Sequence, residues 1–387
     1  MAKARVWRFP CRVRTPMAIG SRRLRINFLT FRPALSGGAR VIGDYACFLA
    51  REGHDVRVFA QPEEPPPLLR RLKAKLQGKP DWQPRRSPFF EPLGERFRRL
   101  PQAGPPRAED LPEADVLVAN FWITANWAAA LPPSKGAKVY FMQDYGAAGQ
   151  PIEEVRKTWA LGLKTVTISR YLHDEIARFS GARSALVPCG VDPAFLIERE
   201  RPARQGPPTV GFLFSNNAMK GSSVCVAAVR RARNRIPGLR VLSFGPQRPT
   251  DPKQIPDFVE FSPSVSEAEA RTIYASCDAW LFGSIREGFG LPILEAMATR
   301  TPVIAARSAA APEILALGGG KLVPISDPEA MAAAIVEICG LPADEWRALS
   351  NTAFHTAQSF SLDAARRRFE AALAAAADDR FDDVAAA

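Results

Sequence analysis

With 387 residues, 47% hydrophobic and 24% charged, the chain has the size of two globular domains and too much apolar content for a disordered protein. No apolar run reaches the ~18–20 residues of a membrane span, and the Arg-rich amino end lacks the apolar stretch of a secretory signal. Six cysteines without CxxC spacing and three histidines argue against a zinc site or a disulfide framework, so buried thiols in a reducing compartment are expected.

The net charge of +12 is unevenly placed. Residues 1–25 hold eight Lys or Arg and no acid, residues 68–100 hold ten basic residues against three acids, and the remainder is slightly acidic. Both basic segments interleave aromatics: Trp7 and Phe9 in the first, Trp82, Phe89, Phe90 and Phe97 in the second. Two readings stand for them, binding to an anionic membrane surface or polyanion, or a solvated, partly disordered arm.

The ordered chain is expected to begin at Arg25. Residues 25–30 read as a buried strand, 33–38 as a loop, and 39–51 as a helix with Val41, Ile42, Tyr45, Phe48 and Leu49 at helical spacing. Residues 56–60 read as the next strand, and this βαβ unit makes the sheet parallel. Residues 61–110, rich in proline and basic residues, read as an insertion with one short helix at 68–76. Strands then follow at 115–119, 138–142, 165–168 and 185–187, with helices at 152–161 and 172–179. Pro188-Cys189-Gly190-Val191-Asp192-Pro193 marks a domain boundary. A second series has strands at 209–214, 240–244, 258–261, 279–282, 302–305 and 321–323. Its helices fall at 222–236, 267–276, 293–298, 311–315 and 328–339. The Ala-rich stretch 362–377 reads as a helix followed by a frayed tail.

The resulting division is a basic arm, 1–24; an N-terminal domain, 25–190, with the insertion 61–110; a C-terminal domain, 191–355; and a helix and tail, 356–387. The fold class is α/β: two doubly wound, Rossmann-like domains facing across a cleft, with ligands beyond the carboxyl ends of the strands.

The densest signal is Arg286-Glu287-Gly288-Phe289-Gly290-Leu291-Pro292-Ile293-Leu294-Glu295, just after the strand ending at Phe282. Gly288 and Gly290 permit close approach of backbone to a ligand, and Pro292 suits a first helical position. The unpaired N–H groups and positive dipole end of that helix make an anion site that fits a diphosphate. Glu287 precedes the helix and Glu295 is placed in its first turn, so the two acids reach one cleft from different depths. Lys220-Gly221 follows strand 209–214 and offers a cation. Gly37-Gly38 follows the first strand without the G-x-G-x-x-G of a nicotinamide site. Asn120 and Gln143-Asp144-Tyr145 each sit just after a strand, and Asp144 is the candidate for an acceptor-side polar contact. Trp122 and Trp127 suit sugar stacking or core packing alike. His54 reads as a structural turn residue, and His173, on a helix, as uninvolved. No DxD motif follows a strand, so neither a metal nor a cofactor is expected.

Two glutamates separated by seven residues, with Gly-Phe-Gly-Leu-Pro between them, resemble the signature of the family-four type of retaining glycosyltransferases with the GT-B fold. The resemblance continues through Thr301-Pro302-Val303-Ile304-Ala305, Pro312-Glu313-Ile314, the boundary at 188–192 and Gly37-Gly38-Ala39-Arg40. It implies that Glu287 lies near the reacting carbon of a donor sugar, that Glu295 holds ribose hydroxyls, and that Lys220 binds the donor diphosphate. It further implies that Gly288, Phe289, Gly290, Leu291, Gly37, Gly38 and Asn120 face the donor. Two departures are visible. Ser215 stands where the family carries an arginine, with Arg286 and Arg307 as candidate replacements, and the Asn120-Phe121-Trp122 region lacks the histidine of many members.

Tyr140-Phe141-Met142-Gln143-Asp144-Tyr145 is similar to a segment of bacterial rhamnosyltransferases of cell-surface polysaccharide assembly. That similarity makes dTDP-L-rhamnose the expected donor and a glycan or lipid-linked molecule the acceptor. The implied reaction is metal-independent and retains anomeric configuration, driven by positioning and electrostatics. The expected partners are a nucleotide-sugar donor, that acceptor and an anionic membrane, with no nucleic acid; the expected location is the cytoplasm, at the inner face of the cell membrane. Two other classes stay open at this point: a nucleotide-sugar epimerase or phosphorylase on the same architecture, and a non-enzymatic polyanion binder.

Overall fold

Every strand ladder in the computed structural model is parallel, as the βαβ pattern requires. The structure describes residues 22–31, 37–63, 65–77, 87–145, 151–202 and 206–385; the expected basic arm therefore lies almost entirely outside the described residues. The first sheet has the order β3-β2-β1-β4-β5-β6-β7 and the second β10-β9-β8-β11-β12-β13. In each, the winding reverses at one place, between β1 and β4 and between β8 and β11, and a crevice opens there at the carboxyl ends.

The N-terminal half begins with β1 (Arg25–Thr30), α1 (Gly37–Arg51) and β2 (Asp55–Ala60), followed by α2 (Leu68–Leu76) and β3 (Phe97–Arg99). It continues through β4 (Val116–Ala119), α3 (Trp122–Ala130), β5 (Ala137–Met142), α4 (Ile152–Lys157), β6 (Lys164–Thr167), α5 (Arg170–Ser180) and β7 (Ser184–Leu186). The strands are almost wholly buried because helices cover both faces, which is why they read as continuous apolar runs.

The C-terminal half runs β8 (Thr209–Leu213), α6 (Ser222–Arg235), β9 (Arg240–Gly245), β10 (Val259–Pro263), α7 (Glu267–Ala275), β11 (Ala279–Phe282) and α8 (Leu291–Ala298). β12 (Val303–Ala306), α9 (Ala311–Leu315), β13 (Gly320–Val323), α10 (Pro328–Gly340) and α11 (Ala343–Ser359) complete it. Buried Trp280 and Tyr274, with ring centroids 4.4 Å apart, pack between β11 and α7.

Three expectations need correction. Residues 61–110 are not a bare insertion around one helix: β3 pairs with β2 as the edge strand of the sheet, and Phe90, Leu93 and Leu100 enter the core. The short strand was missed because its three residues, Phe-Arg-Arg, carry too few apolar positions to show a period. Helices α3 and α11 were also missed. The first is apolar nearly all round and gives no amphipathic stripe, and the second follows Pro342 directly after α10.

The third correction concerns the carboxyl end. α12 (Leu362–Ala377) crosses back to the N-terminal domain, and α13 (Phe381–Ala385) packs against β7, so the segment after α12 is not a frayed tail. Phe369 on α12 is fully buried, with its ring 4.6 Å from Phe141, 5.0 Å from Tyr45 and 6.3 Å from Phe28. Arg366 pairs with Asp44 on α1, and His54 Nε2 meets Glu370 at 3.0 Å while its Nδ1 accepts the Leu24 N–H. His54 is thus structural, as is His173, which bonds Ser184. The five cysteines among the described residues are buried.

Removing the Phe369 ring leaves a cavity among three aromatic rings. Phe369→Ala is expected to destabilise the N-terminal domain by about 3–5 kcal/mol, read as a lower midpoint in its denaturant transition. An unchanged midpoint would show that α12 adds nothing to that core.

Candidate active site

Both reversal points carry the residues that the sequence singles out. Beyond β8, Asn217 caps a single turn by accepting the Met219 N–H, and that turn ends in Lys220. Beyond β11, the loop 283–290 runs alongside it, tied by the Ile285 N–H to the Met219 carbonyl at 2.8 Å. Lys220 Nζ donates to Glu287 Oε1 at 2.6 Å, and Ser284 Oγ donates to the other carboxylate oxygen at 2.9 Å. Cation and acid therefore form one half-exposed pair at the mouth of the crevice.

The loop then turns into α8. Gly290 adopts φ 101°, a conformation strained for any side-chain-bearing residue, and Phe289 is buried beneath it. The helix starts at Leu291, which moves two expected positions: Pro292 is the second helical residue, and Glu295 falls in the second turn, not the first. Glu295 is instead held from both sides. Arg40 Nη1 donates to Oε1 at 3.1 Å, and the Tyr274 hydroxyl donates to Oε2 at 3.0 Å.

Arg40, from the first turn of α1, reaches across the domain boundary to Glu295, to Glu267 at 2.9 Å and to Asp192 at 3.7 Å. Burial works against its charge, but the three carboxylates raise its pKa on balance. The same burial pushes Glu267 up to about 7, with Arg40 opposing. The cavity beside this cluster, lined by Arg40, Glu267, Leu291 and Glu295, holds only about 70 Å³. Small-molecule pockets run to roughly 300–1,000 Å³, so a nucleoside can enter here only if Arg40 swings aside or the domains part.

The opposite wall comes from the N-terminal domain. Gly37 and Gly38 open α1, and the Gln143 side chain lies over Gly38, its Oε1 2.6 Å from where a Cβ would stand. The Gln143 carbonyl oxygen lies 1.8 Å from the Cβ position of Gly288, so that glycine lets the domains meet. Ser169 Oγ, the cap of α5, donates to the Gly288 carbonyl at 2.8 Å. The Glu313 carboxylate accepts the Arg170 N–H at 3.1 Å and 3.2 Å.

Asp144 is open to the cleft yet crowded by protein, and that crowding raises its pKa against the pull of Lys220; Glu287 adds to the rise and Arg286 opposes it. Asn120, at the end of β4, has a buried Oδ1 with no hydrogen-bond partner among the described residues, and so does Gln143 Nε2. Leaving such a group unpaired costs about 1–3 kcal/mol, which a polar ligand in the crevice would relieve. Trp122 and Trp127 sit on α3; the Trp127 ring packs 5.9 Å from Phe31, consistent with core packing.

The structure thus brings Lys220, Glu287, Gly288 and Asp144 together and sets Glu295 apart with Arg40. Sequence reading passed over Arg40, Gln143, Ser169 and Tyr274. Arg40 and Gln143 stood inside quoted motifs, but nothing local marks a residue whose partner lies more than 140 positions away.

Two facing doubly wound domains with a crevice between them define the GT-B fold. Solved structures agree on that fold. The sucrose-phosphate synthase of Thermosynechococcus elongatus superposes with a TM-score of 0.69 at 22% identity, covering 90% of this chain and 98% of that one. Anabaena HepE in complex with UDP and glucose gives 0.68 at 15%, covering 91% and 100%. Residues 35–195 match the model described as Glycosyltransferase Family 4, and residues 207–340 match that described as Glycosyl transferases group 1. The chain belongs to this family of GT-B glycosyltransferases, with its two modules in order.

Among curated relatives, an MMP alpha-(1->4)-mannosyltransferase of Mycolicibacterium hassiacum is 30% identical over 184 residues, 46% of this chain and 44% of that protein. A phosphatidyl-myo-inositol mannosyltransferase of Mycolicibacterium smegmatis is 31% identical over 179 residues, 43% and 45% of the two chains. A GDP-mannose-dependent alpha-(1-6)-phosphatidylinositol monomannoside mannosyltransferase of the same species is 28% identical over 200 residues, 45% and 52%. The chain thus spans about half the length of the curated relatives it matches. None of these names supports the rhamnosyltransferase relationship expected from residues 140–145.

A methyl group at position 288 would collide with the Gln143 carbonyl. Gly288→Ala is expected to force the domains apart, raising the radius of gyration in small-angle X-ray scattering while far-UV circular dichroism stays unchanged. Superimposable scattering curves would refute the close-approach role.

Proposed function

We propose that the protein transfers a sugar from a nucleotide-diphosphate donor to a glycan or lipid-linked acceptor. The observation that carries this reading is the Lys220–Glu287 pair at the second reversal point, facing Asp144 and Gln143 across the Gly288 contact. Lys220 is placed to leave Glu287 for the donor diphosphate, and the positive end of α8 adds to that grip. Glu287, released, lies where charge develops on the sugar. Glu295 offers its carboxylate to ribose once Arg40 yields it.

Mannose is the donor sugar that the named relatives favour, with GDP as its carrier; dTDP-L-rhamnose has no comparable support. In the step proposed, the bond from the anomeric carbon to the diphosphate oxygen breaks and a bond to the acceptor oxygen forms on the same face. The acceptor proton passes to the departing phosphate, and configuration is retained. This chain's part is electrostatic and positional, with no covalent step.

A thermal-shift panel of GDP-, UDP-, dTDP- and ADP-sugars is expected to show its largest rise in melting temperature with GDP-mannose. Glu287→Gln is expected to lower transfer about 10²–10³-fold with the folded state intact. A panel without any shift, or a fully active Glu287→Gln protein, would sink the reading.

Peripheral contact with an anionic bilayer finds its support in α2. Leu68, Leu69, Leu72 and Leu76 are 69%, 82%, 48% and 90% exposed and share one face, while Arg70, Arg71, Lys73 and Lys75 occupy the other. Among the described residues, no helix is long and apolar enough to cross a membrane. The double change Leu69→Glu and Leu76→Glu is expected to reduce cosedimentation with phosphatidylglycerol-containing vesicles at least tenfold. Undiminished binding would discard α2 as the contact.

A further inference from the structure

Arg286 also lines a second cavity, of about 420 Å³, to which Lys220, Glu287 and Asp144 do not contribute. One wall is the start of α5, with Arg170, Tyr171 and Asp174; the other is built from the loops beyond β11, β12 and β13, with Arg286, Arg307 and Ser308. The cavity therefore lies between the domains, shifted toward the β13 edge of the second sheet. The β12 and β13 loops are two and three strands from β8, whose loop carries Lys220, about 10–14 Å at ~4.8 Å per strand.

Its charge is unbalanced. Three arginines, Arg170, Arg286 and Arg307, line the space, and none has a carboxylate within ion-pair distance among the described residues. Arg40, another arginine at the domain boundary, meets three. Two acids share the cavity, Glu313, which accepts the Arg170 N–H with both oxygens, and Asp174, one turn further along α5, so three cations face two carboxylates. Ser308 is engaged too, donating to the Ser284 carbonyl. Planar guanidinium forks match the oxygens of a phosphate group and bind it more strongly than they bind water.

We propose that this cavity binds a phosphate group carried by the sugar acceptor. The proposal rests on the transfer reading above and extends it. The donor diphosphate has its own cation and helix end at Lys220 and α8, so a second phosphate site on the far side of Arg286 belongs to the other substrate. A negative acceptor held at Arg170 and Arg307 would be drawn into the cleft from the N-terminal side and anchored on both domains at once, coupling acceptor binding to closure.

The test uses inorganic phosphate as probe. It is titrated calorimetrically into the full chain, into Arg170→Ala, Arg307→Ala and the double variant, and into Arg170→Lys and Arg307→Lys, at ionic strength fixed with sodium chloride. GDP and UDP are titrated in parallel. Both arginines are exposed, so the variants should fold; matching melting temperatures verify this. The double variant is expected to bind phosphate at least tenfold more weakly, the lysine variants two- to fourfold more weakly, with nucleotide affinity changed less than twofold. Unchanged phosphate affinity in the double variant overturns the site. Nucleotide affinity falling in step with phosphate overturns the acceptor assignment, because the arginines then serve the donor. If no nucleotide binds the unaltered chain while phosphate binding still depends on the arginines, the transfer reading fails and takes the acceptor assignment with it, leaving an anion site without that role.

Discussion

The geometry of the cleft depends on one contact, the backbone of Gly288 against the carbonyl of Gln143. Any side chain at that position would hold the two sheets apart. Because none is there, the loop beyond β11 lies against the loop beyond β5, Ser169 can bond the Gly288 carbonyl, and Glu313 can reach the start of α5. Charged groups from both domains then share one partly buried space, where their interactions are stronger than at an open surface.

Within that space the ionisable groups satisfy one another. Lys220 and Glu287 neutralise each other, and Arg40 gathers Glu295, Glu267 and Asp192. Such pairing solves a problem that buried charges would otherwise create, since a lone ion in that setting is costly. It also means that binding exchanges partners rather than charging an empty pocket. Under the proposed transfer, a diphosphate would replace Glu287 at Lys220, and ribose would replace Arg40 at Glu295. Asn120 and Gln143 stand apart from this scheme, because each keeps a buried polar atom without a hydrogen-bond partner among the described residues.

Much of this was legible in the chain itself. The parallel strands announced themselves as short apolar runs between helices, and the loop from Arg286 to Leu291 drew attention through its paired glycines. What stayed hidden has a common cause. Three-residue β3 has no measurable period; α3 is apolar all round and has no stripe; the role of Arg40 depends on acids 152, 227 and 255 positions away. Glu295 shows the limit most clearly. Its residue type and spacing were read correctly, but a one-residue shift in where α8 begins moved it to the second turn. Helix ends are set by such small local balances, and spacing alone does not resolve them.

The return of α12 to the first domain has a bearing on biogenesis. Val191 and Ser361 run side by side as the outgoing and returning connections, with the Val191 N–H on the Phe360 carbonyl at 2.9 Å. Phe369 completes a cluster begun by Phe28, more than three hundred residues earlier. A chain emerging from the ribosome therefore has its second domain made before its first can close. Until then the aromatic faces of Tyr45 and Phe141 lack their cover, and the half-built first domain is the stage at which a chaperone would have most to hold.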